Sequence, residues 1–218
     1  MEKNKINVYL ADDHNVVRKG MMRLLSTFDR VGEVREASNG RELLDLIEGH
    51  EPDAVIIDLE MPVMGGIEAG RQISDQFPDV KILMLTMHTE GVFINKLLDI
   101  GVHGFLSKSA EVEEVEKALY AVIDKDFYKN DIVEKAIANS IHNDPDDKYS
   151  KLTTREIEIL LLICQEYTPG DISTRLNISE KTFFNHRTNI IAKTGVRTNI
   201  GLYKFAIQRG YFSEQNLH

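Results

Sequence analysis

Five side chains in this sequence have the types and placement to act together: Asp12, Asp13, Asp58, Thr86 and Lys108. Asp12 and Asp13 close the stretch INVYLADD, Asp58 follows the apolar run AVII, Thr86 comes near the end of KILMLTM, and Lys108 closes GFLSK. An unbroken apolar run that stops at a carboxylate reads as a strand buried on both faces, and ligands of open α/β sheets bind at the C-terminal ends of such strands. In a parallel sheet all five residues share one edge. Three carboxylates gathered there repel one another unless a cation is bound. Mg2+ suits them, being a hard cation satisfied by one or two carboxylates, waters and phosphate oxygens. A hydroxyl and a fixed ammonium beside a metal-bound carboxylate supply positioning and charge neutralisation for a transferring phosphoryl group. Taken singly each residue has a plainer role: an Asp-Asp pair caps turns, a threonine belongs in strands, and a lysine is surface charge. Their joint placement at consecutive strand ends carries the argument.

The elements that must position them alternate. Strands are expected over 6–13, 33–38, 54–59, 81–87 and 104–108, and helices over 15–27, 40–49, 66–76, 90–100 and 111–124. That alternation predicts an α/β, doubly wound, five-stranded parallel sheet with helices on both faces, spanning residues 1–124. A linker follows over 125–149, in which NDIVEKAIANSI could form one helix and HNDPDDKYS, interrupted by Pro145, suits exposed chain. Residues 150–218 form a second, all-α domain of four helices. The first opens with Thr153 and Glu156 at capping-box spacing and carries apolar Ile157, Leu160, Leu161 and Cys164. The second starts at Thr168, Pro169 and Asp171, the third runs from Ser179 to near Gly195, and the fourth is NIGLYKFAIQRG.

Composition narrows the function. The 218 residues carry a net charge of −9, unevenly: residues 1–150 hold 17 Lys+Arg against 29 Asp+Glu, and 151–218 hold 9 against 6. Within 178–209, Lys181, Arg187, Lys193, Arg197, Lys204 and Arg209 face only Glu180, an excess that favours phosphate backbones. The single cysteine, Cys164, excludes an internal disulfide and a multi-cysteine zinc site, and reads as a small core residue. No apolar run approaches the ~20 residues of a membrane span, and the first residues lack the apolar core of a signal peptide, so a cytoplasmic protein with no membrane partner is expected. Short-turned helices ending in one rich in Asn, Thr, His and Arg suggest a helix-turn-helix reader, with a small structural bundle as the alternative. On that helix Phe183, Ile190, Ile191 and Thr194 share the inner face, so Lys181, Phe184, Asn185 and Thr188 point outward, towards a major groove. Phe184 has a rival placement, folded back into the core with Phe183.

The stretches LADDH, IIDLEMPVMGG, LMLTM and GFLSK resemble, in order and spacing, the signature of two-component receiver domains, a flavodoxin-like fold, over residues 6 to about 124. The resemblance implies that Asp58 accepts a phosphoryl group from a phosphohistidine on a sensor histidine kinase, in a stoichiometric transfer. It implies that Asp13 and Asp58 hold Mg2+ directly, Asp12 through water, and Glu60 through its backbone carbonyl. Thr86 and Lys108 would bind phosphoryl oxygens, Phe105 would be the switch aromatic that turns inward as Thr86 moves, and Glu60 and His88 would flank the phosphoryl group. The stretches LTTREIEIL and DISTRLNISEKTFFNHRTNIIAKTGV resemble the LuxR-type DNA-binding domain, over about 150–212, joined to receivers in the NarL/FixJ class of response regulators. That implies double-stranded promoter DNA as a partner, a homodimer on phosphorylation, and RNA polymerase as a candidate contact. Lys181, Thr182, Phe184, Asn185, Thr188, Lys193 and Arg197 are the DNA-contacting candidates.

The sequence departs from these patterns in places. Ser109 follows Lys108 where receivers commonly have proline, and Met87 follows Thr86 in place of a small residue. Phe184 and Asn199 stand where many LuxR-type domains have a basic residue, and Glu166 where a helix-ending glycine is common. Two other classes stay open: a phosphohydrolase with an aspartate nucleophile, faintly suggested by Asp58-Leu59-Glu60 although Met-Pro follows at once, and a receiver whose helices bind protein.

Overall fold

The computed structural model describes residues 5–87, 94, 97–138 and 152–212. Five parallel strands, β1 (Ile6–Ala11), β2 (Val31–Ala37), β3 (Ala54–Asp58), β4 (Lys81–Thr86) and β5 (Gly104–Ser107), form one sheet in the order β2-β1-β3-β4-β5. Helices α1 (Asn15–Leu25) and α4 (Val112–Lys125) cover one face, where Leu25, Val115, Leu119 and Val122 pack on Val8, Leu10, Ile56 and Leu85. Helices α2 (Gly40–Gly49) and α3 (Gly66–Gln76) cover the other, where Leu43, Ile47 and Ile73 meet Tyr9, Val55, Ile57 and Met84. Burial on both faces is why β3 is apolar without alternation. The strands end one or two residues earlier than expected, so Asp12, Asp13 and Lys108 sit in loops just beyond the sheet. Of the expected helix 90–100, Ile94 and residues 97–99 are helical, with Ile94, Leu97 and Leu98 buried, and Ile100 lies in the turn that follows; residues 90–93, 95 and 96, and 142–150 with Pro145, lie outside the described residues.

The first part of the expected linker is packed. Residues 126–130 run along the outer edge of β5, where the Tyr128 N–H donates to the His103 carbonyl (2.8 Å) and Asn130 Nδ2 to the Phe105 carbonyl (3.0 Å). This strap satisfies carbonyls that an open edge strand would expose. Helix α5 (Asp131–Ala138) continues it and buries Val133, Ala136 and Ile137.

Four helices follow: α6 (Thr154–Cys164), α7 (Pro169–Leu176), α8 (Glu180–Thr194) and α9 (Asn199–Gln208). The start signals read from sequence are all made, with capping boxes at Thr153/Glu156 and Thr168/Asp171, a Ser179 cap, and Gly195 in the left-handed region at the end of α8. The buried stripe of α6 differs from the expected one. It centres on Glu156, Ile159, Leu160, Ile163 and Cys164, with Ile157 and Leu161 only partly buried, because α6 is wedged between α8 and α9 and its buried arc is broader than one seam. Cys164 is a core residue, its thiol pushed up to about 12 by burial.

The helical unit packs on the strap side of the sheet. Phe127 stacks on Tyr203 with ring centroids 6.5 Å apart, Asn199 Nδ2 donates to the Lys125 carbonyl (3.1 Å), and Thr198 Oγ1 donates to the Val102 carbonyl (3.3 Å). Asp126, the left-handed cap of α4 (φ 69°), gathers Lys81 (2.5 Å) and Arg187 of α8, with His103 Nε2 3.7 Å away. Burial opposes the Asp126 charge, but the surrounding His103, Arg187 and Lys81 outweigh it and hold the carboxyl at about 2. Burial depresses His103 to about 4, where the neutral ring accepts the Ile82 N–H at Nδ1 (3.1 Å).

An unfolded histidine binds a proton near pH 6.5, whereas folded His103 does so only near 4, so the unfolded state holds the extra proton between these values. Stability therefore falls as pH drops through that window, by about 3 kcal/mol from this residue. Urea unfolding of His103→Asn should show a correspondingly flatter decline from pH 6.5 to 4 than the wild type, and parallel curves would refute the assignment.

Candidate functional site

Register brings the site together. Ala11 pairs with Ile57, so the next residues, Asp12 just beyond β1 and Asp58 at the end of β3, lie side by side where the chain order of the sheet reverses. Asp58 pairs with Leu85 and Thr86 with Ser107, which sets Thr86 and Lys108 at the same edge. The loop after β3 doubles back tightly: the Gly66 N–H donates to the Leu59 carbonyl (3.0 Å), and a Cβ on Gly66 would come within 2.2 Å of the Asp58 carbonyl oxygen, so only glycine fits. Val63 in the same loop is exposed and held at φ 67°, a strained setting for a β-branched residue.

Asp12, Asp58 and Thr86 are buried, while Asp13 and Glu60 are exposed at the rim. The Lys108 ammonium donates to Asp58 Oδ2 at 2.6 Å and lies 3.1 Å from Asp12 Oδ2. The second contact is an ion pair without hydrogen-bond alignment, which leaves Asp12 Oδ2 buried with no hydrogen-bond partner. Asp12 Oδ1 accepts the His14 N–H (2.7 Å), and His14 Nδ1 lies 2.7 Å from Asp13 Oδ1. Burial raises the Asp58 carboxyl above its ordinary range against the pull of Lys108, with Asp12 adding to the rise and the Glu60 N–H opposing it. Burial alone would lower the Lys108 ammonium, but the hydrogen bond to Asp58 and the adjacent Asp12 charge outweigh it and hold the group above its usual value.

One ligand atom from each of Asp12, Asp13, His14 and Asp58 can be chosen so that all lie within 4.8 Å of one another. Hard oxygen donors, one of them an orphaned buried carboxylate oxygen, fit a divalent cation such as Mg2+. His14 is a member of this cluster that the sequence reading did not include; its position directly after the two aspartates was the available signal.

Both the sheet and the helical unit match known families. Residues 8–120 match the response regulator receiver domain, and residues 150–206 match the LuxR family of bacterial regulatory proteins. The chain belongs to the response regulators of the NarL/FixJ class. It is 34% identical to the response regulator UvrY of Escherichia coli K12 over 97% of this chain and 98% of that one. It is 30% identical to the response regulator GacA of Pseudomonas aeruginosa over 94% and 97%. Among solved structures, an RcsB response regulator–DNA complex matches with a TM-score of 0.58 and 26% identity, covering 94% of this chain and 99% of that one. Among the described residues no helix is long and apolar enough to cross a membrane.

In this response regulator the residues named from sequence fall into clear settings. Phe105 is fully buried, its carbonyl held by the strap residue Asn130. Met87 is exposed, and Ser109 is held by Ser107, with Oγ–Oγ 2.7 Å and the Ser109 N–H donating to Ser107 Oγ (3.1 Å), so hydroxyls close the turn where receivers commonly have proline. His88 lies outside the described residues. On α8, Lys181, Phe184, Asn185 and Thr188 are exposed and Thr182 is half-buried. Phe184 is 48% exposed, which removes the alternative that it folds into the core. Lys193 is engaged within its own domain by buried Glu156 (2.6 Å). Three further cations of the helical unit are paired with carboxylates of the sheet domain: Arg197 with Asp75, Lys204 with Asp99 (2.7 Å) and Arg187 with Asp126. Glu166, at φ 62°, reaches back to Lys125 (3.2 Å), and Asn199 accepts from Arg187 Nε (2.8 Å). The carboxylates Asp75, Asp99 and Asp126 gave no local sign of this pairing in the sequence.

Removing the shared ammonium should expose how much the site depends on it. Lys108→Met leaves two buried carboxylates without a counter-charge and should cost about 3 kcal/mol in urea unfolding at pH 7 without divalent cations. An unchanged unfolding midpoint would count against that dependence.

Proposed function

We propose that this response regulator is a cytoplasmic transcription factor switched by Mg2+-dependent phosphorylation of Asp58 by a sensor histidine kinase. The observation that carries the reading is the Lys108 ammonium, held between the buried carboxylates Asp58 and Asp12 at the edge of the sheet. When transfer occurs, the bond between phosphorus and the kinase imidazole nitrogen breaks, that nitrogen keeps the electron pair, and an Asp58 oxygen bonds to phosphorus. Asp13 and Asp58 would hold Mg2+ directly, Asp12 through water and Glu60 through its carbonyl; the bound ion supplies positive charge against the incoming phosphoryl oxygens. Lys108 and Thr86 would take the remaining oxygens, which a fixed ammonium and hydroxyl do without reorganisation. The rival phosphohydrolase reading is weak. Glu60 is exposed, and it is its N–H that meets Asp58.

Phe105 and Thr86 form the two-state element, biased by phosphate contacts, and the Asn130 bond to the Phe105 carbonyl ties the strap to it. In the unphosphorylated state the receiver carboxylates Asp75, Asp99 and Asp126 occupy cations that a DNA backbone would otherwise meet. Phosphorylation then favours homodimers that place two readers on one promoter site, where RNA polymerase is the candidate downstream contact. For DNA, Lys181, Thr182, Phe184, Asn185, Thr188 and Arg197 are the contact candidates, with Lys193 reserved for Glu156 until that pair opens.

Asp58→Ala should abolish Mg2+-dependent labelling by a small phosphodonor such as acetyl phosphate; labelling at wild-type level would overturn the acceptor assignment. A double variant, Asp75→Asn with Asp99→Asn, should bind random duplex more tightly at low salt. Its log K against log salt should be steeper by about two units, one for each cation that gains a phosphate. Equal slopes would mean that these pairs mask no DNA contact.

A further inference from the structure

Beyond its first residue, Glu180, the exposed residues of α8 fall on one stripe: Lys181, Phe184, Asn185, Thr188, Asn189 and Ala192. They recur at helical spacing over twelve residues, roughly 16 Å, about the length of four to five base-pair steps. None of the carboxylates that pair with Arg187, Arg197 or Lys204 touches this stripe, so the receiver engages the flanks of the reader and leaves its outward face clear. Phe184 is the residue that demands an explanation. Single exposed apolar residues are ordinary on protein surfaces. This one is fixed, its ring edge-on to buried Phe183 with centroids 5.2 Å apart, and it stands in line with two asparagines. Thr188 already donates its hydroxyl hydrogen to the Phe184 carbonyl (2.9 Å).

The chemistry of the stripe is selective. Guanine is read in the major groove by paired donors on arginine or lysine, adenine by the amide of asparagine or glutamine, and the thymine methyl by apolar contact. The stripe holds no guanidinium: Arg187, the arginine of α8, is turned to Asp126 and Asn199. Its single cation is Lys181 at the N-terminal end. We propose that this face reads A·T pairs, with Asn185 and Asn189 pairing with adenine edges and Phe184 packing on a thymine methyl. Ala192 adds a second small apolar contact, and Lys181 meets a guanine or a phosphate at one end of the half-site. This specificity rests on the reading of the chain as a DNA-binding regulator.

The test is selection of binders from a randomised duplex pool by the full-length chain at low salt, for the wild type and for Asn185→Ala, Asn189→Ala and Phe184→Lys. The two alanine variants place a stronger helix former at exposed positions, so they keep the fold even if the lysine variant does not. The wild type should enrich a half-site with a central A·T block. Asn185→Ala and Asn189→Ala should each relax the preference for adenine at one position, on the order of tenfold, and weaken binding to the selected half-site more than binding to random duplex. Phe184→Lys should exchange thymine for guanine at its position. Duplex binding with a G·C-centred site, or with base preferences that none of the substitutions alters, would overturn this inference and leave the DNA-binding reading standing. Failure of the wild type to retain any duplex, phosphorylated or not, would overturn that reading and the inference with it.

Discussion

The ion pair of Lys108 with Asp58 and Asp12 is the interaction around which the rest of the receiver is arranged. Two carboxylates buried at adjacent strand ends are costly, and one ammonium compensates them only in part. The residual strain is visible in the raised Asp58 carboxyl and in the orphaned Asp12 oxygen. A site held in this condition favours added positive charge. Strands β1, β3 and β5 must end in register for it to exist, which requires the parallel sheet, the Gly66 turn under Asp58, and a β5 edge that is kept straight.

The last requirement links the site to the helical unit. Strand β5 carries Phe105 and delivers Lys108, and the strap seals its outer edge through Tyr128 and Asn130. The same strap supplies Phe127, stacked on Tyr203, and begins with Asp126, bonded to Arg187. The contacts between the units are unequal in weight. Arg197 with Asp75 is half exposed on both sides and belongs to the class of pairs worth little in water. Asp126 is half-buried among its cations, and its depressed carboxyl marks it as the polar centre of the interface, next to the apolar contact of Phe127. A modest change in β5 or the strap therefore acts on the strongest part of the contact, while the peripheral pairs follow.

Much of this was legible in the sequence. Apolar runs ending in Asp58 and Thr86, alternating with amphipathic helices, determined the parallel sheet and the gathering of Asp12, Asp13, Asp58, Thr86 and Lys108 at one edge. These signals are local and repeat with the period of the element that carries them. The capping residues Thr153, Thr168 and Ser179 fixed helix starts for the same reason. The outward face of α8 also followed from periodicity, since Phe183 and Ile190 can be buried only if Lys181, Phe184 and Asn185 are not.

Tertiary structure alone decided the pairings between distant segments. Whether Phe184 lay in the core or in solvent depended on how α8 meets its neighbours, because an aromatic pair is compatible with either. The buried stripe of α6 turned out to be centred on Ile159 and Ile163, since both α8 and α9 press on it, and a single-seam pattern cannot register a second neighbour. Asp75, Asp99 and Asp126 look like ordinary surface acids in sequence; their pairing across the units comes from cations of the helical unit more than sixty residues away. The strap escaped notice because its hydrogen bonds run to the backbone of β5, and backbone groups are the same whatever the residue. A sequence records which side chains seek burial and which strands end in charge, but an ion pair between remote surfaces leaves no periodic trace in either partner.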